Sequence, residues 1–312
     1  MIKILITGGA GNVGGALACH LVQKEGYHVV VADNLITGTT RNLPHGYHNF
    51  TFIKCDVNNY NDLSAVMLAF KFDYVFHYAA LVGVNRTLRN PIAVLQDIEG
   101  IKNVLNLSKN TGVKRIFYSS SSEVYGEPVE FPQNEHTTPL NSRLPYAIVK
   151  NVGEAFFRSY QKEYGLDFTI FRFFNTYGPK QSIDFVVSKF IDAALNNKDI
   201  VIYGEGHQTR TFCYIDDNIE ATTRIFEESL YLNEVINVGN SEEIRVVDLA
   251  KKVIEITASA SRIIHVDPLE EGDMTRRKPD NLKMLKVLNR ELLTIEEGIN
   301  NILQLKYSLI SK

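Results

Sequence analysis

The feature that most constrains this chain is its opening order: a short apolar run, a turn with regularly spaced glycines, and a helical pattern. The apolar run is Ile2–Thr7, and Gly8, Gly11 and Gly14 follow it at intervals of three. A buried strand that turns through glycines into a helix presents free backbone N–H groups and a positive helix end to phosphates. We therefore expect the pyrophosphate of a dinucleotide to bind here. The expected contact residues are Gly8, Gly11, Asn12, Val13 and Gly14.

An acidic residue at the end of the second predicted strand indicates which dinucleotide binds. Asp33 follows the apolar run Tyr27–Ala32 and lies 19 residues after Gly14. A carboxylate there accepts hydrogen bonds from the ribose hydroxyls of adenosine and repels a 2′-phosphate, which favours NAD over NADP. Five more residues at strand ends are expected to line the cofactor site: Asn34, Asp56, Val57, Ala79 and Ala80.

Strand-like and helix-like segments alternate along the first half of the chain, which predicts a doubly wound parallel sheet of the Rossmann type in an α/β fold. We expect residues 1–174 to form this NAD-binding domain and to carry the catalytic residues. After Phe174 the elements shorten, so residues 175–312 are expected to form a smaller α/β lobe that binds the substrate. A strand near 235–238 is expected to return to the main sheet.

Composition excludes several classes of function. The net charge is −3 with no basic blocks, which argues against a nucleic-acid partner. No apolar run reaches the roughly 18 residues needed to span a bilayer, so no membrane partner is expected. Three scattered cysteines and eight scattered histidines form no disulfide framework and no metal-binding motif, so we expect no metal. These features together predict a cytoplasmic protein.

A tyrosine and a lysine four residues apart in a helical pattern form the predicted chemical centre. Tyr146 and Lys150 lie on one face of that helix. A phenol has a pKa near 10, and a nearby ammonium group favours its ionised form. Tyr146 is then expected to take the proton of a substrate hydroxyl while NAD takes the hydride, with Lys150 also holding the nicotinamide ribose.

Serines and one glutamate follow the fifth predicted strand, where ligands bind in such folds. We expect Ser121 to donate a hydrogen bond to the reacting oxygen. Glu123 has two interpretations: a second acid/base group acting at a neighbouring carbon, or a carboxylate that only orders the loop.

Taken in order, these motifs resemble the extended short-chain dehydrogenases that modify nucleotide sugars. The resemblance covers nearly the whole chain and rests on the following segments: Gly8–Gly14, Asp33, Asp56-Val57, His77–Ala80, Ser121, Tyr146 with Lys150, Arg172–Pro179 and Gln208–Arg210.

The resemblance implies a role for each matched residue. Ser121, Tyr146 and Lys150 would be the catalytic triad, and the first reaction would oxidise C4 of the sugar. The substrate would be a nucleoside-diphosphate sugar, and the helices over 91–110 and 146–163 would form a homodimer interface. The residues implied to contact the substrate are Asn175 at the phosphates, Arg210 and Arg277 as a diphosphate clamp, Tyr203 at the nucleobase, and Ser122, Val84 and Val187.

Different segments of the chain resemble enzymes that differ in the step after C4 oxidation. Residues 81–86 look like those of 4-epimerases, whereas Ser122-Glu123 resembles both GDP-mannose 4,6-dehydratases and UDP-glucuronate decarboxylases. Residues 276–280 are also decarboxylase-like, but residues 180–185 depart from that pattern. We therefore expect 4-epimerisation or 4,6-dehydration. The alternatives are decarboxylation or a net 4-dehydrogenase, as for GDP-heptoses of bacterial capsules; a non-catalytic NAD-sensing scaffold would typically lack the triad.

Overall fold

Seven parallel strands form the central sheet, in the order β11-β6-β5-β4-β1-β2-β3. The structure, a computed structural model, describes residues 1–127, 129–268 and 276–310. The strands are β1 (Ile2–Thr7), β2 (Tyr27–Asp33), β3 (Phe50–Lys54), β4 (Tyr74–His77), β5 (Arg115–Ser121), β6 (Asp167–Phe173), β7 (Thr176–Tyr177), β8 (Ile200–Tyr203), β9 (Thr209–Thr211), β10 (Cys213–Tyr214), β11 (Glu234–Val238), β12 (Glu243–Arg245) and β13 (Ile263–Val266). This order confirms the predicted doubly wound sheet.

Helices pack on both faces of the sheet because its strands are apolar on both sides. In β1, Ile4 and Ile6 face a core with α1 and α8, whereas Leu5 faces a core with α2, α5 and α6. The helices are α1 (Asn12–Leu21), α2 (Tyr60–Phe70), α3 (Val84–Arg89), α4 (Pro91–Leu95), α5 (Asp97–Thr111), α6 (Pro145–Tyr164), α7 (Val186–Leu195), α8 (Ile215–Glu227), α9 (Val246–Thr257), α10 (Leu282–Leu288) and α11 (Ile295–Ile310).

The expected single helix over 91–110 is wrong in one respect. Gln96 separates α4 from α5, and α5 begins at Asp97. The Asp97 side chain accepts a hydrogen bond from the backbone N–H of Leu81, at 2.7 Å. The Asp97 side chain therefore points toward the loop after β4 instead of toward solvent.

Short strand pairs and four helices form the second lobe. β8 pairs with β13, β9 with β12, and β7 with β10. The stretch 235–238 lies in β11, which pairs in parallel with β6 at the edge of the main sheet. The chain therefore passes from the sheet into the second lobe and back again. Among the described residues, no helix combines the length and apolar character needed to cross a bilayer.

Candidate active site

A cavity of about 760 Å³ runs along the carboxyl ends of the sheet strands. Its wall begins at the glycine turn after β1, passes the ends of β2 to β5, and reaches residues of the second lobe. Most residues expected at the cofactor and substrate sites lie on this wall. They are Gly8, Gly11, Asn12, Val13, Gly14, Asp33, Asn34, Asp56, Val57, Ala79, Ala80, Ser121, Ser122, Glu123, Tyr146, Lys150, Asn175, Val187 and Arg277.

The glycine turn leaves no room for side chains. Gly8 has φ +68°, and a Cβ there would lie 2.5 Å from the backbone nitrogen of Ala79. A Cβ on Gly14 would lie 2.5 Å from the carbonyl oxygen of Gly8. The first turn of α1 contains no acidic residue, and no side chain caps it. Its positive end therefore faces the cavity without a competing carboxylate, as an anionic pyrophosphate requires.

The carboxylate of Asp33 is fixed at the end of β2. It accepts hydrogen bonds from the backbone N–H of Ala10, at 2.9 Å, and of Leu35, at 2.8 Å. Its side chain is buried yet lines the cavity. Two donors hold the carboxylate in one orientation and leave lone pairs for further donors, such as ribose hydroxyls.

A second, half-buried acid on this wall, Asp97, was not anticipated from the sequence. Asp97 accepts from Leu81 N and, at 3.2 Å, from Asn58 Nδ2. Burial raises the pKa of its carboxyl, while these hydrogen bonds and the charge of Lys150 oppose the rise. The sequence signal was only an acid in the first turn of a helix, which usually has no more than a helix-dipole role.

Lys150 lies at the floor of the reactive half of the cavity. Its Nζ is 3.4 Å from Ser119 Oγ and lies over the rings of Tyr118, at 5.0 Å, and Tyr146, at 5.7 Å. Burial lowers the pKa of the ammonium group to about 8, and the Asp97 carboxylate opposes this shift. Lys150 is therefore a buried amine that titrates not far above neutral pH.

The phenol of Tyr146 lies beside Ser121 and Glu123. Burial raises the pKa of Tyr146, and the negative charge of Glu123 raises it further, whereas a hydrogen bond with Ser121 and the charge of Arg277 lower it. The expectation that the ammonium of Lys150, together with the positive nicotinamide ring, stabilises the phenolate stays a prediction. Burial wins, so additional positive charge is required before the phenolate forms near neutral pH.

Glu123 and Arg277 come together from distant parts of the sequence. The Arg277 Nη1 to Glu123 Oε1 distance is 3.7 Å, and Arg277 is 6% exposed. The Arg277 Nε atom is buried and has no hydrogen-bond partner among the described residues. A buried guanidinium donor on a cavity wall is costly to leave unpaired, so it indicates a place for a ligand acceptor.

A buried ion pair lies behind the catalytic wall. Arg172 forms two hydrogen bonds with Glu154, at 2.9 and 2.7 Å, and Ser120 Oγ donates to the same carboxylate at 2.7 Å. Burial alone would raise the pKa of Glu154, but the hydrogen bonds and charge of Arg172 lower it. Arg172 also donates to the hydroxyl of Tyr125, at 2.8 Å. This pair connects α6 to β6, and Ser120 connects the same carboxylate to β5, the strand that ends at Ser121.

Two expected substrate residues, Arg210 and Tyr203, are not on the cavity wall that the described residues form. Arg210 lies in β9, where its Nη1 donates to the carbonyl oxygen of Thr209 at 2.7 Å. Tyr203 ends β8, and Lys189 Nζ lies 5.2 Å from its ring centre. The side chain of Val84 lies outside the described residues. Their substrate roles therefore remain predictions. Asn175, by contrast, is on the wall, where its Nδ2 donates to Thr211 O at 2.9 Å.

Two contacts bridge the cavity between the lobes. Arg86 Nη2 lies 2.9 Å from Asp184 Oδ2, which joins α3 to the loop before α7. Lys180 Nζ donates to the carbonyl oxygen of Asn42 at 3.1 Å. Arg86 and Lys180 both line the cavity and were not anticipated as site residues. Lysine and arginine in a loop give no local sequence signal that distinguishes a bridge from a solvated charge.

Comparison with known proteins agrees with this geometry. The model of the NAD dependent epimerase/dehydratase family matches residues 4–239. UDP-glucuronic acid decarboxylase 1 of Danio rerio is 35% identical over 312 residues, covering 97% of this chain and 72% of that protein. UDP-N-acetyl-alpha-D-glucosaminuronate decarboxylase of Bacillus cytotoxicus is 33% identical over 318 residues, covering 97% of each chain.

A solved structure extends the similarity to the whole fold. UDP-glucose 4-epimerase of Thermotoga maritima, determined with UDP-glucose, superposes with a TM-score of 0.91 at 30% identity. The superposition covers 99% of this chain and 100% of that one. The relatives thus include both enzymes named as decarboxylases and an enzyme named as an epimerase.

Proposed function

This chain belongs to the NAD-dependent epimerase/dehydratase family, and from that premise we propose that it is a 4,6-dehydratase of a nucleoside-diphosphate sugar. The proposed reaction has two stages. The first is oxidation at C4, and the second begins with removal of the C5 proton and leads to loss of water. The observation that carries it is the position of Glu123. Its carboxylate lies on the same wall as Ser121 and Tyr146, and 3.7 Å from Arg277.

The first stage uses the tyrosine, the serine and the lysine. Ser121 donates a hydrogen bond to the C4 oxygen, and Tyr146 takes the proton of the C4 hydroxyl. Lys150 supplies positive charge beneath the phenol, at 5.7 Å from Tyr146's ring centre. The glycine turn and Asp33 would hold NAD, which would supply a reversible hydride acceptor for C4 and C6.

The second stage depends on the acidity that the C4 ketone gives to the C5 proton. Glu123 accepts that proton, which leaves an enolate at C4–C5. The C6–oxygen bond then breaks, and the hydroxyl leaves as water with the proton carried by Glu123. The C5–C6 double bond is then reduced by hydride at C6 and by a solvent proton at C5, while the C4 proton held by Tyr146 returns to solvent. The balance is one sugar nucleotide in, one 4-keto-6-deoxy sugar nucleotide and one water out.

Glu123 is the reason to favour dehydration over 4-epimerisation. Epimerisation needs a base at the C4 oxygen and space for the sugar to turn, but no acid/base group at C5. A carboxylate next to the phenol also raises the pKa of Tyr146, which works against the first stage. A residue that opposes one stage is best explained by a function in another.

Decarboxylation is the second candidate, and Arg277 favours it. A uronic acid oxidised at C4 is a β-keto acid, which loses carbon dioxide and takes a proton at C5. Arg277 has an unpartnered buried Nε that suits a substrate carboxylate, and two relatives are named as uronate decarboxylases. That carboxylate would lie close to the carboxylate of Glu123, however, and the repulsion favours a neutral hydroxymethyl group at C6.

The test incubates the protein and NAD with UDP-, GDP-, CDP- and dTDP-linked sugars and follows each by mass spectrometry. Loss of water supports the proposal, and loss of carbon dioxide supports the second candidate. An unchanged mass with a new chromatographic peak indicates epimerisation, and loss of two hydrogens indicates a net dehydrogenase. Glu123→Gln is the matched variant: it should stop the loss of water while C4 oxidation continues, and unchanged dehydration would refute the assigned role.

We also propose a homodimer that forms through α4 and α6. Three large apolar side chains are exposed on these helices, Ile92, Leu95 and Ile148. Exposed apolar residues grouped on adjacent helices are typical of an interface. Light scattering after size-exclusion chromatography tests this, with Ile92→Lys expected to give a monomer.

The free thiols of Cys19, Cys55 and Cys213 support the proposed cytoplasmic location.

A further inference from the structure

The buried side chain of Asn237, in β11, touches the segment that carries Glu123. Asn237 Oδ1 accepts a hydrogen bond from the Tyr125 hydroxyl at 2.7 Å. Tyr125 ends the short 3₁₀ helix Ser122–Tyr125, two residues after Glu123. Arg172 also donates to the Tyr125 hydroxyl, so this phenol is held from two sides. The helix that presents Glu123 is therefore anchored at its far end.

The other end of the Asn237 amide touches the segment that carries Arg277. Asn237 Nδ2 donates to the carbonyl oxygens of Gln133, at 2.8 Å, and Asp280, at 3.2 Å. Gln133 also bonds the backbone next to Arg277, because its N–H donates to Lys278 O at 2.7 Å. Asp280 N donates back to Gln133 O at 2.8 Å. The Arg277 segment is thus bound along its length.

Of the side chains with this outline, only the amide of asparagine can both accept a hydrogen bond from Tyr125 and donate to Gln133 and Asp280. Asn237 is 0% exposed, and its side chain accepts on one side and donates twice on the other. An aspartate has the same outline but no donors, so it would set a carboxylate against two carbonyl oxygens. A buried amide with every group satisfied is rigid, which makes it suitable for fixing a distance.

We infer that Asn237 is a positioning residue that sets the spacing of Glu123 and Arg277. The inference rests on the proposed function, because it assigns Glu123 to the C5 proton. The side-chain hydrogen bonds of Asn237 go to Tyr125, Gln133 and Asp280, whereas Ser121, Tyr146 and Lys150 are placed by β5 and α6. Loosening Asn237 should therefore impair the C5 step and leave C4 oxidation intact.

Two variants loosen the connection from opposite sides. Asn237→Asp removes both donors toward Gln133 and Asp280, and Tyr125→Phe removes the donor toward Asn237. The matched controls are Asn49→Asp and Tyr160→Phe. Asn49 is a buried amide that donates to two carbonyl oxygens, of Val22 and Tyr27, away from the cavity wall. Tyr160 donates to Asn106 Oδ1 at 2.8 Å.

The experiment measures the two stages separately in D₂O, with GDP-mannose, dTDP-glucose, UDP-N-acetylglucosamine and UDP-glucuronate as probes. Deuterium at C5 reports the second stage, and reduced nicotinamide reports the first. Both variants should lose C5 exchange by about 100-fold, the size expected for a misplacement of about 1 Å. C4 oxidation should stay within about threefold of wild type, as should both stages in the controls.

Two results would overturn the inference alone: wild-type exchange that persists in both variants, or both stages falling by the same factor. A wild type that converts a probe without exchanging C5 refutes the proposed function and this inference with it. Crystal structures of Asn237→Asp and Tyr125→Phe need no substrate. They should show Arg277 moved away from Glu123, and an unchanged separation in both would also overturn the inference.

Discussion

The half of the cavity around the glycine turn and the half around Tyr146 differ in what holds them. The first is made by one short stretch, Gly8–Gly14, with Asp33 bonded to backbone N–H groups. The second joins side chains from β5, α6 and a segment more than 120 residues further along, at Arg277. We therefore expect recognition of the cofactor to depend on local backbone shape, and the proposed chemistry to depend on buried charges brought together by long-range contacts.

The difference implies that a substitution can impair the function of one half of the cavity and leave the other half intact. A backbone site fails when a side chain fills the space reserved for a ligand. A site of buried charges fails when one group is removed or its proton affinity changes, while the backbone around it stays in place. Variants at each half should separate NAD affinity from turnover.

The largest expected effect is confined to the reactive half. Tyr146→Phe removes the group that takes the C4 proton and keeps the ring that packs near Lys150. We expect turnover of the sugar nucleotide to fall about 10²–10⁴-fold, as for the loss of a general base. NAD affinity, measured by calorimetric titration, should stay within about twofold. Unchanged turnover would show that the catalytic assignment is wrong.

The next effect is confined to the cofactor half. Gly8→Ala combines a positive φ with a Cβ 2.5 Å from Ala79 N, whereas Gly165→Ala has nearly the same φ, +67°, and nothing within 4 Å. We expect Gly165→Ala to lower the free energy of unfolding by about 1 kcal/mol, and Gly8→Ala by about 3 kcal/mol with loss of NAD binding. Urea denaturation and titration measure both; equal losses would show that the turn has spare room.

A pH experiment measures the cost of burying Lys150. Its pKa is about 8 in the folded protein and near 10.4 when unfolded. Between these values the unfolded chain binds more protons, so this group makes the free energy of unfolding rise with pH. From about pH 8 to about pH 10, wild type should gain roughly 2 kcal/mol relative to Lys150→Met. Urea denaturation measures the free energy of unfolding of both proteins at the two pH values. If the difference between wild type and Lys150→Met is the same at both, the prediction is wrong.

The smallest expected effect concerns the preference of the cofactor half for NAD over NADP. NADP should bind about tenfold more weakly than NAD, because its 2′-phosphate meets Asp33, and this corresponds to about 1.4 kcal/mol. Asp33→Asn removes the negative charge, so the ratio of the two dissociation constants should shrink. The ratio is the proper measure, since the substitution also disturbs the hydrogen bond from Ala10 N. Equal affinities in wild type would refute the NAD preference drawn from Asp33.

The same contrast explains which features the sequence could reveal. The parallel sheet follows from apolar runs such as Ile2–Thr7, which the structure reproduces as β1. Tyr146 and Lys150 are four residues apart, so helical spacing alone predicts that they share a face. Each of these inferences needs only neighbours in the sequence.

The features that the sequence did not reveal depend on distant neighbours. Asn237 bonds to Tyr125 and Gln133, which lie 112 and 104 residues away. Asp97 was not anticipated because its partners, Leu81 N and Asn58 Nδ2, lie 16 and 39 residues away. The raised pKa of Tyr146 follows from burial, which periodicity does not measure. Arg210 and Tyr203 were carried over by resemblance, and the structure places neither on the cavity wall.

The return of β11 to the main sheet limits how the molecule can move. A cleft that closes by rotation of one lobe needs hinge residues that absorb large backbone changes at every crossing of the chain. Here the chain crosses out after β6, returns as β11 beside β6, and crosses out again. Rotation would have to twist this buried strand pair, so the lobes should behave as one rigid body. Admission of the proposed sugar nucleotide then falls to α3 and the loop before α7, which Arg86 and Asp184 join, and its rate should depend on ionic strength.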